Sequence, residues 1–587
     1  MQSISSLTAP FDRFGKNDKG NLIFLTLLWF IAVLLVNPSG EFPLNDDWVH
    51  ARAVRTLLET GQFTLAGGHS SSNLVALVYW GALFCLPFGF SFTALRLSTL
   101  VLGLVGVLIV YGLIREMTPN RPIALLGALI IALNPIYFGL SNTYMTDVPF
   151  FTAIMLGFYF FIRGQQQEQT RWVVFGYAWV YLSILIRQLG VVFPVAFGCA
   201  YLARKGVSKL NLIKALAPAL LGIALNSFYA LWLEWSQRTS PILNLKFSLM
   251  QELVFSKNHG LLLRNFSSNL LISIVFISLF ASILLIPLFL RRLKTMPVSE
   301  KRLVLVVILV LFLVLSLSLT VNQIDIPLTG GAGHILADFG IGPITLHDTL
   351  VQNINYPEIP PALKALWFFL KMIAAFTATL FIYYFFIAPI LQISKKRSAG
   401  SSEWLTILLL SAISLYLLPM VLYGFFDRYL LPLFPLFILF VIQAEPWGSQ
   451  TFFNHKIVFP IILVGLIGMG IFTVGATHDY LAWNRTRWQA LNNLLQEGRS
   501  PREIDGGYEF NGWYLYDPND FYSITNTPNP AKPEQSRWFV DQDTYLLTLG
   551  PLKKFEVLTR YPVDRWLPFS PEFISVLRRQ AIPQPSQ

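Results

Sequence analysis

The chain has 587 residues, 54% of them hydrophobic and only 13% charged, with a mean hydropathy of +0.56. Soluble domains are roughly a quarter charged, so this composition excludes a soluble globular class and indicates a polytopic α-helical membrane protein. The net charge of +11 is spread over short loops between apolar runs and is not a nucleic-acid footprint; the two cysteines, Cys85 and Cys199, provide neither a disulfide framework nor metal-ligand spacing.

In chain order, the first apolar run is "NLIFLTLLWFIAVLLV", residues 21–36. Arg13, Lys16 and Lys19 precede it, and Glu41, Asp46 and Asp47 follow. The positive-inside rule places residues 1–20 in the cytoplasm and the acids outside. No small-residue cleavage site follows the run, so it reads as an anchor rather than a signal peptide. The basic loops at 115–121, 163–171, 203–209, 291–302, 394–397 and 454–456 all fall inside if residues 73–90 do not cross. That short stretch is therefore expected to be an interfacial or re-entrant helix on the outer side. The expectation is about thirteen spans within residues 21–476. Residues 477–587 are then an exported α/β domain, with a helix over 478–498 and strand and turn material in "GGYEFNGWYLYDP" and "TYLLTLGPLKKFEVLTRYPV".

Two acidic positions stand out. Asp46 and Asp47 open "DDWVHARAVRTLLETG", and Asp147 lies in the otherwise apolar "NTYMTDVPFF". Each has a plain explanation as a helix cap. Ionisable groups at a membrane boundary usually face a cavity or a partner, however, and the topology puts both loops on one side. Arg96, Arg187 and Arg428 fall on that side too. Individually they read as interfacial arginines reaching for headgroups. As a group they offer fixed positive charge for a developing phosphate.

As a set, these features resemble the GT-C glycosyltransferases: acids just after the first span, Asp147 after "S…MTD", Arg96 heading the next long helix and the late "DRYLLPLFP". The resemblance is to the bacterial branch that includes protein O-mannosyltransferases and lipid A aminoarabinose transferases. It implies an all-α bundle of GT-C type, with the active site and C-terminal domain outside a bacterial inner membrane. It also implies transfer of a sugar from a polyprenyl-phosphate donor to a lipid, glycan or protein acceptor. A carboxylate can take the proton from the attacking hydroxyl. Asp46 is the expected base and Asp47 its substitute or an acceptor-orienting group. Asp147 would position the acceptor or hold a divalent cation, Mg or Mn. Arg96, Arg187 and Arg428 would hold the donor phosphate, with His50 and Tyr429 at the substrate. Direct attack would invert the anomeric centre.

Other classes make different demands. A transporter calls for mid-membrane charges and repeated halves, and an assembly protein makes no demand on Asp46. A polymerase or ligase of lipid-linked glycans would use much the same chemistry. The glycine-rich stretch at 329–348 is no P-loop, since it lacks Gly-Lys-Ser/Thr. It is expected to be a mobile cover or a plain connection, with His334 and His347 as remote candidates for metal.

Overall fold

The computed structural model describes residues 17–68, 70–243, 245–255, 259–321, 335–338, 361–387, 403–444, 458–517, 542–568, 570 and 572–580. The described helices begin with α1 (Asp18–Val36), α2 (Asp47–Thr60), α3 (Val75–Cys85), α4 (Phe92–Met117), α5 (Arg121–Ala132), α6 (Pro135–Ser141) and α7 (Asp147–Gln166). They continue with α8 (Thr170–Ile184), α9 (Val192–Lys205), α10 (Lys209–Trp235), α11 (Leu245–Phe255), α12 (His259–Phe280), α13 (Ser282–Thr295) and α14 (Val298–Val321). The last group is the single turn α15 (Ile335–Asp338), then α16 (Pro361–Ile382), α17 (Glu403–Tyr423), α18 (Leu433–Ala444), α19 (Val458–Gln496) and α20 (Tyr508–Leu515).

Local sequence explains many of the boundaries. Asn17, Ser91 and Asn120 cap α1, α4 and α5 by accepting a first-turn N–H. The Asn134–Pro135 pair ends α5 and starts α6: Asn134 Oδ1 accepts from Ile136 N and Tyr137 N, and Pro135 cannot continue the preceding ladder. The result is a 63° bend between α5 and α6. α7 is the most buried of the long helices, with 83% of its apolar stretch inside the protein. It packs on α8 where Gly176 meets it, since a Cβ there would lie 2.9 Å from Phe161 N. Small residues at such crossings let helix backbones approach closely.

Among the described residues nine helices are long and apolar enough to cross a membrane, or ten if α5 and α6 form one bent span. The chain is an integral membrane protein of the all-α polytopic class. The nine or ten among the described residues are fewer than the expected thirteen, and α8, α9 and α18, at 15, 14 and 12 residues, are shorter than a full span. α3, at 11 residues, is shorter still.

The small C-terminal sheet is present. Its strands are β1 (Ile504–Asp505), β2 (Tyr545–Thr548), β3 (Phe555–Pro562) and β4 (Phe573–Arg579), in the order β1-β2-β4-β3. β1 pairs parallel with β2 and the other pairings are antiparallel. Two expectations change. No separate helix begins at 478, because α19 runs unbroken for 39 residues through the expected domain boundary. At 1.5 Å per residue it is about 58 Å long, far more than a bilayer core of about 30 Å. The stretch expected as strand and turn around "GGYEFNGWYLYDP" contains α20 instead.

The sheet is tied to α19 by Asp479. This fully buried carboxylate accepts from Trp566 N (2.7 Å), Leu567 N (2.8 Å) and Ser570 Oγ (2.6 Å). The tail therefore rests on a rigid extension of the bundle.

Candidate active site

Asp46 does not cap α2: it precedes the helix, but its side chain makes no capping hydrogen bond. Asn45 before it takes the left-handed conformation (φ 55°), which Asn tolerates, and so turns the chain into the helix. Both Asp46 oxygens are engaged elsewhere. Arg428 Nη2 donates to Oδ2 at 2.9 Å, and Tyr508 Oη donates to Oδ1 at 2.9 Å. The carboxylate nevertheless stays 32% exposed, enough for a substrate to reach it.

Arg428 sits in the 3-10 turn Asp427–Leu430. Asp427 holds that turn by accepting from Arg428 N, Ile335 N and Leu336 N. Ile335 and Leu336 belong to the glycine-rich loop, of which α15 is the described part; His334 and His347 lie outside the described residues. Arg428 Nη1 also donates to Asn45 Oδ1 at 3.4 Å. Burial alone would lower the pKa of the Arg428 guanidinium, but Asp46, Tyr429 and Asp147 outweigh it and raise the value. Its Nε–H is buried without a hydrogen-bond partner.

A second ion pair adjoins the first. Arg187 Nη1 donates to Asp147 Oδ1 at 2.5 Å, and both residues are buried. Tyr429 joins the two pairs, with its ring 4.5 Å from the Arg187 guanidinium and 5.7 Å from that of Arg428. His50 lies in the field of Asp46, Asp147 and Arg428 together. Burial nevertheless holds its pKa below the usual imidazole value. Its Nδ1 is 3.0 Å from Tyr144 O, which assigns that nitrogen the proton and leaves Nε2 as the acceptor. Asp46, Asp147, Arg187, Arg428, Tyr429 and His50 thus form one group.

Two sequence candidates stand apart from it. Arg96 is fully buried and donates to the carbonyls of Pro38 (3.0 Å), Gly40 (2.8 Å) and Phe42, with its guanidinium 4.4 Å from the Phe42 ring. It clasps the loop between α1 and α2, and those carbonyls occupy its terminal Nη donors. Asp47 is fully buried too. Its Oδ1 accepts from Tyr144 N at 2.9 Å, three residues before Asp147. The bond joins the two acidic segments but leaves Asp47 no access to an acceptor.

The tail contributes residues that the motifs do not reveal. Tyr508 reaches Asp46 as described. Burial and the Asp46 charge push its phenol well above the usual tyrosine range, so the hydroxyl remains a donor. Next to it, Glu509 Oε1 accepts from Asn45 N and Oε2 from Arg487 Nη2, both at 2.9 Å. The aromatic density of "GGYEFNGWYLY" signals that this stretch packs against something; nothing in it names the partner.

A divalent cation does not fit these groups as they stand. Among the described residues no three His, Cys, Asp or Glu side chains converge. Asp147, expected to position the acceptor or a cation, is paired with the Arg187 guanidinium, whereas hard cations take several oxygen ligands.

Residues 75–232 match the model of the family described as dolichyl-phosphate-mannose-protein mannosyltransferase. The chain resembles the GT-C membrane glycosyltransferases. The match covers Arg96, Asp147 and Arg187, and supports the glycosyltransferase reading of the motifs; Asp46, Arg428 and Tyr508 lie outside it. No curated protein matches the chain. Among solved structures it is similar to ArnT from Cupriavidus metallidurans bound to undecaprenyl phosphate, at 12% identity over 95% of this chain and 97% of that one, with a TM-score of 0.37. The apo form of the same protein gives 11% identity, 95% and 97% coverage and a TM-score of 0.38. Scores of that size do not establish a shared fold, so the GT-C resemblance stands on the motifs and the family match.

Proposed function

We propose that this protein is a membrane glycosyltransferase that moves a sugar from a polyprenyl-phosphate donor to an acceptor hydroxyl at the membrane face bearing Asp46. The observation that carries the reading is the partly exposed Asp46 carboxylate held between a buried guanidinium and a half-buried phenol. A group fixed by two donors, with an open side, is oriented as a general base requires. Asp46 takes the proton as the acceptor oxygen bonds to the anomeric carbon. The bond from that carbon to the phosphate oxygen breaks with inversion, and the leaving lipid phosphate carries the negative charge.

Arg428 is the residue assigned to that charge. It lies beside the base and stays cationic. Arg187 already faces Asp147, so its part is to hold Asp147 and Tyr429 in place. Arg96 supports the loop that carries the base. The membrane face concerned is the extracytoplasmic one, where a lipid-borne donor replaces nucleotide sugars.

A transfer assay on purified variants with a polyprenyl-phosphate sugar tests this. Asp46→Asn should lose about 10²–10⁴-fold in rate while remaining folded. Arg428→Ala should weaken use of the donor and lower the rate as well, because its charge also faces the transition state. Full activity in Asp46→Asn would remove the proposed base.

A further inference from the structure

A cavity of about 410 Å³ lies on α2, the helix that Asp46 precedes, and no motif or proposed step uses it. Arg52, Arg55, Thr56 and Glu59 of α2 form one wall, and Trp513 and Tyr514 of α20 form another. The turn at Gly67 and Gly68 completes it. Small-molecule sites typically measure about 300–1,000 Å³.

The groups in it are of three kinds. Trp513 offers an aromatic ring fixed by stacking on Phe90 at 6.0 Å and 12°, with the Arg52 and Arg55 guanidinium groups each 5.9 Å from its centre, so that a ligand would share the ring with them. Thr56 and Glu59 offer hydrogen-bonding oxygens. Arg52 and Arg55 supply two positive charges against the single carboxylate of Glu59, so the cavity has an excess of one positive charge.

The two arginines differ in commitment. Arg52 Nη2 donates to Trp513 O at 2.5 Å, and Nη1 to Gly67 O at 3.3 Å and Tyr516 O at 3.4 Å. It ties the walls together and contributes charge without being free to move. Arg55 pairs with Glu59 at 2.8 Å across one helical turn and lies 5.9 Å from the centre of the Trp513 ring, and both side chains of the pair are more than half exposed. Such exposed pairs contribute little, so both members can turn to a ligand.

An aromatic face beside a carboxylate, a hydroxyl and planar guanidinium groups suits a pyranose: ring C–H groups against the indole and hydroxyls on the oxygens. The surplus positive charge selects a sugar that bears an anionic group. Arg52 and Arg55 lie six and nine residues beyond Asp46, or about 9 and 14 Å along the helix. That is farther than one sugar ring from the base. We infer that this cavity is a binding subsite for an anionic sugar unit of the acceptor, remote from the reacting hydroxyl. The inference rests on the glycosyltransferase reading for its meaning, but not for its test.

The test is calorimetric titration of the purified full-length protein, without donor, using D-glucuronate, glucose and inorganic phosphate as probes. Glucuronate should saturate a single site in the millimolar range and bind more tightly than either glucose or phosphate. Arg55→Gln should weaken glucuronate about tenfold, and Trp513→Leu should weaken it by a similar factor. Should Trp513→Leu fail to fold, Thr56→Trp, which fills the cavity from the other wall, should abolish binding. No saturable glucuronate binding, or equal binding in these variants, overturns the inference. Phosphate binding as tight as glucuronate also overturns it, since the site would then read an anion such as a lipid headgroup and not a sugar. Asp46→Asn should bind glucuronate like the unmodified protein. Retained transfer in Asp46→Asn would therefore count against the base alone, and absent glucuronate binding against the subsite alone.

Discussion

The Asp47 carboxyl is fully buried, and burial pushes its pKa up to about 7 against the partial compensation of Tyr144 N–H and the Arg96 charge. An unfolded chain would titrate the same group near 3.9. Between those values the folded protein keeps a proton that the unfolded chain has released. Its contribution to stability therefore falls as pH rises from about 4 to about 7, then levels off. Asp47 Oδ2 is buried without a partner, while Oδ1 accepts from Tyr144 N. An amide can keep the second interaction and carries no charge. Asp47→Asn should therefore show a flatter dependence of melting temperature on pH over that window. It should also melt no lower than the unmodified protein at about pH 8, as read by thermal unfolding in detergent. A lower melting point there would mean that the ionised carboxylate facing Arg96 holds the loop.

At the scale of single elements, the site depends on α20 being seated on α2. Gly512 allows that seating, since a Cβ at this position would lie 2.5 Å from the Trp48 ring, which is itself fully buried. Overpacking of this kind typically costs about 1–3 kcal/mol, and here it would be relieved by lifting α20 with Tyr508 off Asp46. Gly512→Ala should thus lower transfer severalfold or more while the protein still inserts, and Tyr508→Phe should lower it without the packing defect. Normal activity in both variants would detach the tail from catalysis. None of this was legible in advance. A stretch rich in Tyr, Phe and Trp carries strand propensity, and what makes it a helix is packing against Trp48, Trp488 and Leu491, residues remote in sequence. Asp46, Asp147, Arg187 and Arg428 stand out in the sequence because a charge beside an apolar run needs a reason, and the structure brings them together. Arg96 stands out on the same ground, but it meets backbone carbonyls, and an arginine opening a span looks alike in sequence whether its partner is phosphate or carbonyl. The 38–42 loop decides which.

For the whole molecule, what matters is that the two ends of the bundle carry different charge. At one end Asp18, opening α1, bonds Arg115 at 2.9 Å and Arg121 at 3.1 Å. Arg163 meets Glu116 at 3.3 Å, and Lys205 meets Glu168 at 2.9 Å. The basic loops after α4, α7 and α9 therefore gather beside the start of α1. The Asp46 group lies where α1 has ended, and α19 projects from the bundle toward it, carrying the sheet. Lys- and Arg-rich short loops are retained in the cytoplasm, so the Asp46 end, the sheet and the cavity on α2 should all be outside. Single cysteines at Gln166 and Glu497, both exposed, report on this in a background with Cys85 and Cys199 replaced by serine. In intact cells an impermeant maleimide should label Glu497→Cys and leave Gln166→Cys untouched until the membrane is opened. Labelling of Gln166→Cys from outside would turn the molecule over. It would place Asp46 and Arg428 in the cytoplasm, where nucleotide sugars are present, and the case for a lipid-borne donor would lose its physical basis.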